Sequence, residues 1–123
     1  MTEDYPLENG MRIIQETGPG RQVTLAHIIA SPDPILYQKL GLDPSLDYDK
    51  AAIGISTVTP SETAVIMADI AMKSSGAQIG FVDRFSGTLI FTGTVSEVET
   101  AMDAMLTYVS EKLNHTVCEI TKT

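Results

Sequence analysis

The chain has 123 residues, 43% of them apolar, and carries 16 acidic against 8 basic side chains for a formal net charge of −8. That length suits one domain burying roughly two-thirds of its unfolded surface, and no run approaches the ~20 apolar residues of a membrane helix. Nucleic acid and anionic membranes need clustered cations, and the Lys and Arg residues are scattered along this sequence, so neither is an expected partner.

The N-terminus MTEDYPLENG is acidic and polar, unlike a signal or transit peptide, and reads as a flexible tail. Met11, Arg12, Ile13, Ile14, Gln15 and Glu16 then read as a short strand, cut off by a Gly18–Pro19–Gly20 hinge. Walker and Rossmann glycine spacings are absent from that hinge, and a strand follows it instead of a helix. Gln22–Ala30 is a β-branched strand. Ser31–Pro32–Asp33–Pro34 starts the short helix ILYQKL, which Gly41 closes. Leu42–Lys50 is a connector with three aspartates that lack calcium-loop spacing.

From Ala51 the pattern is regular. Ala51–Val58 reads as a strand, and Thr59–Pro60–Ser61–Glu62 as a capping box opening a helix to about Ser75. Gln78–Phe85 and Thr88–Thr92 read as strands joined at Ser86–Gly87. Thr94–Val95–Ser96–Glu97 is a second capping box. The helix behind it places Val98, Met102, Met105, Val109 and Leu113 on one face, and Asn114 ends it. Thr116–Ile120 reads as the last strand. Residues 51–121 thus give an α/β (α+β) fold with a ferredoxin-like β-α-β-β-α-β core, preceded by an additional strand–helix unit. Two helices should cover one sheet face, leaving the other to solvent or a partner subunit. The order alone assigns no activity.

No catalytic constellation assembles. A nucleophile needs a base held by a third group, and the two histidines, His27 and His115, fall in predicted strands where a satisfied hydrogen bond is the commoner role. Cys118 is the lone cysteine, which excludes an intrachain disulfide, suits a reducing cytosol, and reads as a small hydrophobe. A thiol could still join an intersubunit cluster if symmetry gathered several copies. Glu97 and Glu99 occupy a first helical turn, where the dipole accounts for them. Asp83 and Arg84 interrupt an apolar run. Strand alternation puts Ile79, Phe81, Asp83 and Phe85 on one face, with Gln78, Gly80, Val82 and Arg84 on the other. Each charge therefore needs another partner, such as a neighbouring subunit. The isolated strand Met11–Glu16 likewise wants a partner chain, and symmetric copies could close a small barrel.

The segments RIIQETGPGRQVTLAHIIASPDP, AIGISTVTPSETAVIMADIAMKSSG and IGFVDRFSGTLIFTGTVSEVETAM, with the ending CEITKT, resemble the circularly permuted bacterial microcompartment (BMC) shell proteins of the propanediol- and ethanolamine-utilisation type. The resemblance covers nearly all of the chain from Arg12 and implies a non-enzymatic cyclic homohexamer tiling a shell with other shell proteins in the bacterial cytoplasm. It implies residues 1–20 as tail, barrel strand and hinge, and residues 21–123 as a permuted BMC domain. The strand–helix unit, C-terminal in unpermuted relatives, comes first here. A six-stranded barrel from Met11–Glu16 would cap the axis, and an encapsulated enzyme's targeting peptide is a possible partner. By position, Lys73 matches a tile-edge lysine, and Arg84, Phe85, Ser86 and Gly87 match the loop around the sixfold axis. Phe85 is bulkier than the residue usual in open pores, and an arginine that unpermuted tiles carry has no counterpart in Ala30–Ser31–Pro32–Asp33. No cofactor or metal is implied. The rival readings are a small-molecule-binding or regulatory ferredoxin-like oligomer with ligands near Arg84, and a redox protein with metal on the symmetry axis. The absence of cysteine from the hairpin loop weakens the second.

Overall fold

The computed structural model describes residues 20–42 and 51–123. The strand expected at Met11–Glu16, most of the Gly-Pro-Gly hinge and the three-aspartate connector lie outside the described residues. Eight elements follow in chain order: β1 (Gln22–Ile29), α1 (Ile35–Lys39), β2 (Ala52–Thr59), α2 (Thr63–Ser74), β3 (Gln78–Asp83), β4 (Thr88–Gly93), α3 (Val95–Lys112) and β5 (Thr121–Lys122). The strands form one sheet in the order β3-β4-β2-β1-β5, antiparallel except for the β1–β5 pair. From β2 onward the elements follow the β-α-β-β-α-β order, with β1 taking the place beside β2 and β5 at the edge.

The helices α2 and α3 pack on one sheet face and make the main core. Ile28, Met67, Leu89, Phe91, Met102 and Met105 are fully buried there, each contributing roughly 1.5–3 kcal/mol by leaving water. The α3 stripe matches its sequence pattern: Val98, Met102, Met105 and Val109 are buried, and Leu113 packs against them. Its capping box forms as well, with Glu97 N–H donating to Thr94 Oγ1 at 3.1 Å and Thr94 N–H to Glu97 Oε1 at 2.9 Å. Asn114, at φ 58°, ends the helix as its tolerance of the left-handed region allows. In β2, Gly54 faces Phe91 across the pair, and a Cβ at Gly54 would overlap the Phe91 ring.

Two boundaries differ from the sequence expectation. Thr59–Pro60–Ser61–Glu62 does not form a capping box: Thr59 is still extended, paired with Gln22, and the Thr59–Pro60 peptide is cis. Helix α2 starts instead at Thr63, with Glu62 at its N-cap and no side-chain cap. Carbonyls of the preceding turn take the first amides, as in Thr63 N–H to Pro60 O at 3.0 Å. The last strand is Thr121–Lys122, not Thr116–Ile120; Thr116 forms an isolated bridge to Gln22.

The second sheet face is not simply open. Tyr37 of α1 and Leu42 bury themselves against Ile53, and the Tyr37 hydroxyl donates to the Ala51 carbonyl. Farther along that face Leu25 and Phe81 stay 40% and 47% exposed.

Candidate functional site

The β3–β4 hairpin carries the residues singled out as a pore loop. A bulge between Ile79 and Phe81 changes which way its strand residues point. Ile79 pairs with Phe91, which is in the main core, whereas Phe81 pairs with Ile90, which belongs to the cluster on the opposite face. The extra residue, Gly80, therefore moves Phe81 and Asp83 to the face opposite Ile79 and returns Val82 to the helix side. Simple alternation across Gly80 fails for this reason.

The turn is the four residues Arg84–Gly87, wider than a Ser86–Gly87 step. Gly87 N–H donates to Asp83 O at 2.9 Å, and Val58 N–H donates to Gly87 O at 3.1 Å, which ties the tip to the end of β2. Gly87 sits at φ 78°, and a Cβ there would overlap the Val58 carbonyl oxygen and lie 3.2 Å from Ser61 Cα. Asp83 needs no neighbouring subunit to satisfy it. Its Oδ1 accepts from the Phe85 N–H at 2.9 Å, and that bond, then the Ser86 hydroxyl, holds the carboxyl below the usual carboxylate range. Arg84 places its guanidinium carbon 5.0 Å from the centre of the Phe85 ring, a cation–π contact. Phe85 is nonetheless 81% exposed. The loop is thus a preformed turn that displays an aromatic ring and a cation.

Lys73 lies in the last turn of α2, and its ammonium sits 2.8 Å from Asp69 Oδ2 one turn earlier. Asp69's hydrogen bond and charge raise the Lys73 pKa. Both groups are exposed, so the pair adds little to stability. Among the described residues no hydrogen bond or ion pair joins Lys73 to the Arg84–Gly87 tip. Each histidine has hydrogen-bond partners, but only His27 lies in a strand. His27 Nδ1 is 2.6 Å from Thr121 Oγ1 and its Nε2 3.0 Å from Thr123 Oγ1. His115 is buried in the loop after α3, outside any strand, with Nδ1 donating to Leu113 O at 3.1 Å. Cys118 is half-buried against the main core. Among the described residues no group of three or more His, Cys, Asp or Glu is arranged to hold a metal. Sequence reasoning missed the roles of Gly80 and Val58; a glycine inside a strand is the one available signal of a bulge.

The fold is a helix-backed sheet that displays an exposed hairpin tip closed by its own hydrogen bonds. Residues 52–121 match the BMC domain family, and the chain belongs to that family of microcompartment shell proteins. It is 51% identical over 114 residues to the bacterial microcompartment shell protein EutS of Salmonella typhimurium, covering 93% of this chain and 98% of that one. Shell protein PduU of the same organism is 49% identical over 112 residues, at 91% and 93% coverage. Among solved structures, a flat hexamer of CutR superposes with a TM-score of 0.78 at 44% identity, covering 91% of this chain and 99% of that chain.

Proposed function

We propose that the protein is a structural, non-enzymatic tile of a microcompartment shell in the bacterial cytoplasm, built as a cyclic homohexamer that packs against other shell proteins. The similarity to the CutR hexamer over 91% of the chain carries this reading. In it Arg84–Gly87 surrounds the sixfold axis, Lys73 lies at the tile edge, and Met11–Glu16 supplies one strand of an axial barrel. The family match begins at Ala52, so β1 and α1 stand ahead of it, which supports a permuted domain. The exposed Phe85 and Arg84 make the axis narrow and cationic, and an encapsulated enzyme's targeting peptide is a partner of the assembled tile.

Native mass spectrometry of the purified chain tests this. A species of six times the 13.3 kDa chain mass is expected. Each copy carries −8, so association should strengthen with salt, which screens repulsion between tiles. A monomer at every salt and protein concentration would overturn the proposal.

A further inference from the structure

One pocket in this acidic protein is lined without a carboxylate. It lies where the start of β1, the start of α2 and the end of α3 meet, at the same end of the sheet as the hairpin tip. Its lining comprises Arg21, Thr63, Lys112, Asn114 and His115, with Pro60, Ile66 and Leu113 as the apolar part. The described residues make two ion pairs, Lys73–Asp69 and Lys122–Glu99, and neither Arg21 nor Lys112 takes part in one. In a chain with twice as many acids as bases, two cations far apart in sequence line one pocket with no carboxylate among its described lining residues.

The ordinary explanation for Lys112 is the helix dipole, since it closes α3 and a cation there offsets the partial negative charge of the last carbonyls. Two carbonyls at that end, of Val109 and Leu113, already have a donor in His115. His115 gives its backbone N–H to Val109 O at 2.9 Å and its Nδ1–H to Leu113 O at 3.1 Å. Because Nδ1 donates to a carbonyl, Nε2 carries the ring's lone pair and accepts from the Thr63 hydroxyl, 3.4 Å away, so His115 braces the pocket wall and offers an anion no donor. Thr63 opens the 12-residue α2, so the positive end of its dipole lies at the same place. The Arg21 and Lys112 side chains are exposed, and neither makes an ion pair with a described residue.

We propose that this cleft binds a small oxyanion, a free phosphate or the phosphate group of a small metabolite, through Arg21, Lys112 and the side-chain amide of Asn114. A guanidinium presents paired donors that match phosphate oxygens, and an ammonium adds a point charge. The cavity, about 350 Å³, is at the small end of ligand sites, which fits a phosphate with a few carbons and not a dinucleotide. The site is built within one protomer and does not depend on the ring proposed above.

Calorimetric titration of the full-length protein with inorganic phosphate, ethyl phosphate and acetate, at matched ionic strength, tests this. Saturable binding of one phosphate per chain is expected, with acetate much weaker. Arg21→Gln and Lys112→Gln should each weaken phosphate about tenfold or more, since each removes a charge-assisted hydrogen bond. Arg21→Lys should recover part of the loss, and Lys39→Gln, on α1, should change nothing. Ethyl phosphate binding as tightly as phosphate assigns the site to phosphorylated metabolites; phosphate binding alone assigns it to the free ion. Circular dichroism confirms that each variant is folded. No saturable heat in the wild type, equal affinity for acetate, or unchanged affinity in both Gln variants would overturn the proposal.

Discussion

Two glycines with nearly the same backbone conformation allow the hairpin tip to be tested against an internal control. Gly41 has φ 71° and Gly87 has φ 78°, so alanine at either must enter the left-handed region. That costs about 1–2 kcal/mol, offset by about 0.4–1 kcal/mol from the stiffer unfolded chain. At Gly41 nothing among the described residues lies within 4 Å of the new Cβ, so Gly41→Ala should lose only about 0.5–1 kcal/mol. At Gly87 the Cβ meets backbone, the Val58 carbonyl oxygen and Ser61 Cα, and no rotamer change can relieve it. The tip must lift away from β2, and the Val58 N–H to Gly87 O bond goes with it. Overpacking costs about 1–3 kcal/mol and a lost hydrogen bond about 1 kcal/mol, so Gly87→Ala should fall about 2 kcal/mol or more below Gly41→Ala. For a domain of this size that gap is roughly 6–10 °C in Tm. Urea unfolding and calorimetry at one fixed protein concentration measure it, because subunit association makes Tm depend on concentration. Equal losses in the two variants would show that the tip is not locked against β2, and the preformed-loop reading would fall.

Thr94→Ala removes one half of the α3 capping box and should cost about 1 kcal/mol in urea unfolding, whereas Thr94→Ser should cost little. The Asp83 carboxyl is held low by the Phe85 amide and then by Ser86. A depressed folded pKa gives stability that is present above the unfolded pKa and lost as pH falls through the folded one. The Phe85 amide resonance should therefore move as the pH drops below about 4, and Asp83→Asn should abolish that titration; an unmoved resonance in the wild type would sink the assignment. Lys73→Ala should leave hexamers intact but weaken their assembly into sheets, and normal sheets by electron microscopy would refute the edge assignment. Deleting residues 1–17 should leave a folded ring by native mass, since the described core begins after Gly20; loss of the ring would make that segment part of the assembly interface.

The sequence was most legible where a pattern repeats over many residues. The α3 stripe and its capping box, the β1 and β2 runs, and the positions of both long helices were readable because each rests on several concordant residues. Short patterns failed where a partner distant in sequence intervened. The four residues Thr59–Glu62 have capping-box chemistry, but β1 pairs with Thr59 and keeps it extended, so the helix starts three residues after Pro60. Val117 and Ile120 made Thr116–Ile120 look like a strand, but the parallel register with β1 falls at Thr121 and Lys122. The phosphate-site candidates were invisible for the same reason, since Arg21 and Lys112 stand at opposite ends of the chain and only the meeting of β1 with α3 brings them together.

The Asp83–Arg84 pair shows what the fold adds to such a reading. Adjacent charges in an apolar run suggested partners in other subunits, because strand neighbours point apart. The bulge at Gly80 and the four-residue turn remove the need. Asp83 closes on the Phe85 amide and Arg84 rests over the Phe85 ring, all within six residues of one chain. A loop whose turn is already closed by Asp83 before assembly loses little freedom when copies come together, so ring formation need not order it. The same self-sufficiency leaves the Phe85 ring and the Arg84 donors as its outward chemistry. Whatever approaches that tip meets an aromatic face and a positive charge fixed by the protomer, not by its neighbours.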